Sequence, residues 1–378
     1  MHIKLDSHKL NISEKSRVSR FPWRGQFSPE LIEYLLFSFF EDAQIIYDPF
    51  CGSGTVLFES SLLGKTSYGS EINPAAWCLS SSIHLNRLND DGKKTLIKEL
   101  NNIFLFQTSV IDIIEIAKTT RNKELRISLT TVLLLGYGNN QELNSNKLNK
   151  SFNDFIFFLE SLDTYKGLAY SYLEDSRYTS LDDNSVDGVI TSPPYINVFN
   201  YHQNYRFIME MLGWSPLDAA RSEIGANRKF RQNRFMTVVQ YVQDMSMSLN
   251  ELARVKKLHS ISVMIVGRES KVLGESFENS KLILKLINSH SSFSLLGTYE
   301  RNFKNKYGQN IVEDLIIFKK TSQYSSINIE IAASIGIQAI VDILKNASDQ
   351  NIQLMKEVIS KADKIEPSKK FNIEIPYS

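Results

Sequence analysis

"QIIYDPFCGSGTVLFESSLLG" (residues 44–64) decides the fold. Residues 44–50 are an apolar run that stops at a proline, and residues 54–64 continue as a helix closed by Gly64. Between them, "DPFCGSGT" (48–55) carries Gly52 and Gly54, which permit a tight turn and a close backbone approach to a ligand. The helix behind the turn offers N–H groups with no partner inside the helix. Asp48 ends the strand at the carboxyl edge, where open α/β sheets bind their ligands. No Lys-Ser or Lys-Thr follows, so this is not a P-loop, and the full GxGxxG spacing of a dinucleotide fingerprint is missing.

Outward from this unit the pattern repeats. "TSYGSEI" (66–72) reads as a second strand and "PAAWCLSSSIHLNRL" (74–88) as a second helix. Glu71 ends that strand, where an acid can accept hydrogen bonds from ribose hydroxyls. Upstream, "SPELIEYLLFSFF" (28–40) reads as a helix with Ser28 as N-cap and Pro29 in its first turn. Residues 1–20 read as a loose arm. Alternation of strand and helix predicts an α/β domain with a mostly parallel sheet. It lapses over 89–168, a helical insertion with polar joints. It resumes with strands at 167–175, 185–192 and 260–267 and helices near 237–254 and 276–289. Strands at 293–300 and 312–320 read as an antiparallel pair. Residues 321–378 follow a Ser-rich joint and read as a helical tail. The expected parts are an N-terminal half (1–88), the insertion (89–168), a second half (169–320) and the tail (321–378).

Bulk properties narrow the classes. The 378 residues carry a net charge of +1, so any nucleic-acid surface must be local. Two cysteines, Cys51 and Cys78, without a CxxC speak against a disulfide framework or a zinc site, and for a reducing compartment. No apolar run approaches the ~20 residues of a membrane span. The polar N-terminus has no signal core. A cytoplasmic protein without metal is expected.

A second stretch, "SVDGVITSPPY" (185–195), ends a buried strand on two prolines and a tyrosine. Together with "DPFCGSGT", "GSEINPAA" (69–76), "LEDSRY" (173–178) and "PWRGQFSPELI" (22–32), it resembles the S-adenosylmethionine-dependent amino-methyltransferases of DNA. The similarity covers roughly 20–80 and 170–320. It implies a Rossmann-like class I methyltransferase sheet and S-adenosylmethionine as cofactor. It implies a cofactor site of Phe27, Asp48, Phe50, Gly52, Gly54, Thr55, Glu71 and Asp175. Asp48 would orient the loop or the methionine amine, Glu71 the ribose and Asp175 the adenine edge. Catalysis falls to Ser192, Pro193, Pro194 and Tyr195. There are departures. "KKLHS" (256–260) stands where the family often has Lys-Pro-Gly-Gly, Glu71 replaces the commoner Asp, and the insertion and tail match no motif.

The resemblance gives the prolines a purpose. An exocyclic base amine is a poor nucleophile because its lone pair is delocalised into the ring. The Ser192 hydroxyl and the Pro193 carbonyl could accept its two hydrogens and turn the lone pair towards the methyl donor. Prolines fix φ and place no N–H nearby. Tyr195 would stack on a base taken out of the duplex. No metal or covalent nucleophile is required.

"RSEIGANRKFRQNRF" (221–235) gathers Arg221, Arg228, Lys229, Arg231 and Arg234 shortly after that strand end. Within a DNA-contacting stretch at 196–240, these cations would neutralise phosphates. The insertion is a further candidate reader, and His202 reads as a polar loop residue. The expected function is methylation of N4 of cytosine in duplex DNA, with a separate cognate restriction endonuclease by family analogy. The rivals are N6 of adenine, an RNA or protein amine, and a binding protein with a dead site. In the family that the chain resembles, serine at the position of Ser192 goes with cytosine, and Asp or Asn with adenine.

Overall fold

The computed structural model describes residues 5–12, 16–106, 109–196, 200–226, 230–304 and 308–376. A helical turn, α1 (Ser7–Leu10), and α2 (Pro29–Phe39) precede β1 (Ile45–Asp48), α3 (Thr55–Leu62), β2 (Thr66–Glu71) and α4 (Pro74–Ser81). The insertion holds α5 (Asp90–Phe106), α6 (Val110–Thr119), α7 (Lys123–Tyr137) and α8 (Ser145–Glu160). β3 (Ala169–Leu173) passes to β4 (Val186–Thr191), followed by short α9 (Arg206–Met211) and α10 (Pro216–Ala219). Then come α11 (Met236–Val255), β5 (Lys256–Gly267), the hairpin β6 (Glu269–Val272) and β7 (Glu275–Glu278), and α12 (Asn279–Ser289). β8 (Phe293–Lys304), β9 (Asn310–Lys320), α13 (Ile329–Leu344) and α14 (Asp349–Ser360) complete the elements used below.

Among the described residues, seven strands form one sheet in the order β3-β2-β1-β4-β5-β9-β8. The first five are parallel, while β9 runs antiparallel between β5 and β8. This is the Rossmann-like, mostly parallel α/β sheet expected from the sequence. Its order reverses between β1 and β4, the switch point where such sheets open a crevice. Side chains alternate across the strands. Tyr47, Val189, Met264 and Ile316 pack in one core with α11 to α13. Ile46, Ile190, Val263 and Leu315 pack in another with α2.

Two expectations need correcting. The N-terminal arm is fastened: Leu10 is buried, its carbonyl accepts from Arg301 Nε at 2.8 Å, and Arg17 pairs with Glu59 at 3.0 Å. The tail is helical only in part. α13 packs on α11 so closely that a Cβ on Gly336 would lie 2.8 Å from Val239 Cα. Beyond α14 and a short 3-10 turn, residues 365–375 contain neither helix nor strand. The insertion packs on α4 and α9 rather than standing apart.

Candidate active site

The switch point brings two loops together. Asp48, at 1% exposure, accepts from the Thr191 hydroxyl at 2.6 Å and from the Phe50 amide at 3.1 Å. Thr191 ends β4, so a single hydrogen bond ties the base of the glycine loop to the residue before Ser192. Glu71, at the end of β2, braces the same loop. Its Oε2 accepts from the Gly52 amide at 2.9 Å and its Oε1 from the Asn73 amide at 2.7 Å. The Asn73 side chain caps α4 and donates Nδ2 to the Tyr201 carbonyl at 2.9 Å, which fixes the chain beyond the catalytic loop. Gly54 has φ +89°, and a Cβ there would lie 2.9 Å from Ser80 Cβ on α4.

These elements line a cleft that opens to solvent. Phe27, Asp48, Phe50, Gly52, Thr55, Glu71 and Asp175 line it, as do Ser192, Pro193, Pro194 and Tyr195. Gly54 shapes the turn without lining the cleft. Arg221 is exposed next to the lining residues Ser222 to Ile224, 3.5 Å from Asp218. Arg231 is exposed and Arg234 half-buried, while Arg228 and Lys229 lie outside the described residues. The lining side chains that went unassigned in the sequence include Trp23, Tyr201 and Glu223. All three sit in or beside the quoted motif blocks, but no strand end marks them. Their position comes from long-range packing, such as Trp23 stacked on Tyr205 at 6.1 Å.

The Tyr195 ring lies against Gly267, where a Cβ would come within 2.8 Å of it, and its hydroxyl is 3.2 Å from Ser192 Oγ. Burial pushes the Tyr195 phenol up, so it stays protonated near neutral pH. His202 is buried, with Nδ1 2.8 Å from Glu223 Oε2, and its amide donates to Glu223 Oε1 at 2.7 Å. It is therefore a tie between two loops rather than a surface residue. Asp175 also lines the cleft and accepts from Arg177 Nε at 2.9 Å and from Arg177 Nη2 at 2.7 Å.

The lining carries five acids, Asp48, Glu71, Glu174, Asp175 and Glu223, against one base, Arg24. Burial raises both Asp48 and Glu71 to about 7. Such a cleft suits a cationic ligand. Among the described residues, no group of three His, Cys, Asp or Glu side chains is placed to hold a metal ion. No helix among them is long and apolar enough to cross a membrane.

Comparison with known proteins agrees with this geometry. Residues 5–79 match the family model described as DNA methylase. A segment of 106 residues is 36% identical to the type II methyltransferase M.MjaII of Methanocaldococcus jannaschii, covering 27% of this chain and 20% of that protein. The chain thus matches about a fifth of its curated relative's length. An S-adenosylmethionine-dependent methyltransferase of Methanosarcina mazei is 14% identical over 75% of this chain and 94% of that one, with a TM-score of 0.35. The rRNA methyltransferase AviRa of Streptomyces viridochromogenes is 13% identical over 83% and 93%, with a TM-score of 0.33. The fold assignment rests on the strand order and not on these two likenesses. S-adenosylmethionine, the family's cofactor, carries a sulfonium and an ammonium, and so fits the acid-lined cleft. Glu71 also fits, since its carboxylate has about four acceptor sites and the two amides leave some for ribose hydroxyls. The chain is therefore similar to the DNA methylase family over residues 5–79, and over a 106-residue segment to a type II methyltransferase.

Proposed function

We propose that the chain is a DNA methyltransferase that moves a methyl group from S-adenosylmethionine to an exocyclic base amine, N4 of cytosine. The observation that carries this reading is the Asp48–Thr191 bond at the switch point. It sets the glycine loop and Ser192-Pro193-Pro194-Tyr195 in one continuous cleft. When bound, the cofactor supplies an activated methyl on a sulfonium leaving group.

The chain's own residues have four tasks. Asp48, Glu71 and the glycine loop bind and orient the donor. The Ser192 hydroxyl and the Pro193 carbonyl accept the two amine hydrogens and hold the nitrogen in line. Tyr195 accepts or donates at Ser192 Oγ, which fixes the direction of that hydroxyl's lone pairs. The Tyr195 and Tyr201 rings give a base taken out of the duplex an apolar place to stack, worth ~1–3 kcal/mol per base. Placement matters, since an error of ~1 Å can cost about 100-fold.

The test uses radiolabelled donor, mixed-sequence duplex DNA and chromatography of the released nucleosides. Label in N4-methylcytosine is the expected result. Label in N6-methyladenine would replace the cytosine assignment, and label only in RNA or protein would remove DNA as substrate. Ser192→Ala is expected to lose most activity, about 100-fold or more by analogy with deleting a transition-state hydrogen bond. It should still bind the cofactor, measured by calorimetry. Under this reading a separate cognate nuclease would cut the unmethylated site.

A further inference from the structure

The loop after β3 is held unlike its neighbours. The loops after β1 and β2 run directly into α3 and α4, whose first turns anchor them. Residues 174–185 pass from β3 to β4 with no helix. One of their two cleft-lining acids, Asp175, is anchored instead from the far end of the chain. Its Oδ1 accepts from the Arg177 amide and Nε, and its Oδ2 from Arg177 Nη2 at 2.7 Å and the Phe371 amide at 3.3 Å. Arg177 has no exposed side-chain surface. Its other hydrogen bonds reach the Ser368 and Lys369 carbonyls, both at 2.9 Å, and Asp244 Oδ1 at 2.5 Å. Asp244, on α11, accepts in turn from the Ser368 amide at 2.9 Å and hydroxyl at 2.7 Å. Gln240 and Gln243 hold the Glu366 and Ile365 carbonyls, both at 2.8 Å. Further along, Ile373 packs against the core that contains Ile208 and Trp214 of the α9 region.

We propose that the C-terminal strap, residues 365–376, braces the wall of the cofactor site from behind. Arg177 is the positioning residue through which the strap sets Asp175 and the 174–176 loop. The proposal rests on reading the cleft as an S-adenosylmethionine site. Adjacent strand ends are about 4.8 Å apart, so a nucleoside laid across β1, β2 and β3 ends at the loop after β3. That loop's shape decides how well the adenosine end is held. A buried guanidinium cannot keep its place once its acceptors leave, because an uncompensated buried charge is strongly unfavourable. Its planar fork also fixes the orientation of the carboxylate it grips, which an ammonium cannot do. The strap is thus coupled to cofactor affinity without lining the cleft.

The test uses the full chain with Ser368→Ala, a residue outside the cleft, and Arg177→Lys, which keeps the charge and loses the fork. Calorimetry measures Kd for S-adenosylmethionine and for S-adenosylhomocysteine, which share the adenosine end, and thermal unfolding is followed alongside. Ser368→Ala should weaken both ligands by the same factor, about fivefold, as expected for partial loss of a hydrogen bond to a charged group. Arg177→Lys should weaken both further. In steady state, KM for the cofactor rises by the same factor, while kcat at saturating cofactor stays within about twofold. A lower melting temperature with unchanged Kd would overturn the proposal and leave the network purely structural. If Arg177→Lys does not fold, Ser368→Ala decides alone. Wild-type protein that binds neither ligand would overturn the reading of the cleft itself, and the proposal with it.

Discussion

At the scale of single residues, the cleft's acids set its response to pH. Burial lifts Asp48 and Glu71 to about 7, whereas an unfolded chain has such acids near ~4. Folding therefore tightens proton binding at both. Their contribution to stability is fully present below pH ~4 and is lost as pH rises through about 7. The ligand-free protein should melt at progressively lower temperature between pH 5 and pH 8. A cation in the cleft favours the charged acids, so cofactor affinity should move the other way. It should strengthen from pH 6 to pH 8, by up to about tenfold per pH unit for each acid, and level off above. S-adenosylhomocysteine lacks the sulfonium charge and should show a shallower rise, and Glu71→Gln should remove part of the slope. Calorimetric Kd values for both ligands across that range are the check, and a flat profile for the charged cofactor would refute the electrostatic account of the site. Asp48 and Glu71 were legible in the sequence because each ends a parallel strand, where side chains meet the crevice. Glu223 and the role of Arg177 were not, since only the folding back of a loop brings Glu223 to the cleft and only the tail supplies the Ser368 and Lys369 carbonyls that hold Arg177.

At the scale of elements, the glycine turn is the part most exposed to steric failure. Gly54 combines φ +89° with a would-be Cβ 2.9 Å from Ser80 Cβ and 3.4 Å from Phe58 Cε2. Gly54→Ala is expected to cost about 1–3 kcal/mol from the left-handed backbone alone, with the clash added. It should lower the melting temperature and weaken the cofactor by displacing the Gly52 amide from Glu71. Thermal unfolding with and without cofactor would show this, and an unchanged melting temperature would contradict it. Elements with a strong internal pattern were readable in advance. The sheet strands at β1, β4 and β5 are apolar runs bounded by turn residues, and α4 starts on the Asn73-Pro74 pair that caps it. The hairpin of β6 and β7 was not readable. Its two strands have four residues each and are mostly polar, and "VLG" at the turn gives little signal against the helix that follows. The strap was equally hidden, because its carbonyls are satisfied by side chains of α11 and by Arg177, not by a ladder that leaves a pattern of its own.

At the scale of the whole molecule, charge and packing divide the work. The insertion, residues 89–168, holds ten acidic and ten basic side chains, so it has no net field with which to attract a polyanion. Its observed contacts are supportive. Asn139 accepts from the Tyr205 amide at 2.8 Å, and Tyr205 stacks on Trp23 at the cleft wall. Balanced charge overall, at +1, leaves the proposed attraction of DNA to a local cluster. The basic segment that begins beside the cleft includes Arg221, whose side chain is 68% exposed, and Arg231, also exposed. Arg221 lies 3.5 Å from Asp218, itself 45% exposed. A surface pair of that kind contributes ~0–1 kcal/mol, so it gives way readily to a phosphate. Each phosphate contact steepens log K against log salt by ~0.9 on duplex DNA. Replacing Arg221 and Arg231 together with Gln should therefore weaken binding at low salt and reduce that slope by roughly 1.8. Cofactor affinity should stay unchanged, because neither side chain lines the cleft. Fluorescence anisotropy of a labelled duplex over a salt series measures the slope, and calorimetry measures the cofactor. Parallel lines for wild type and variant would remove this segment from the DNA interface and leave the two arginines as solvated surface.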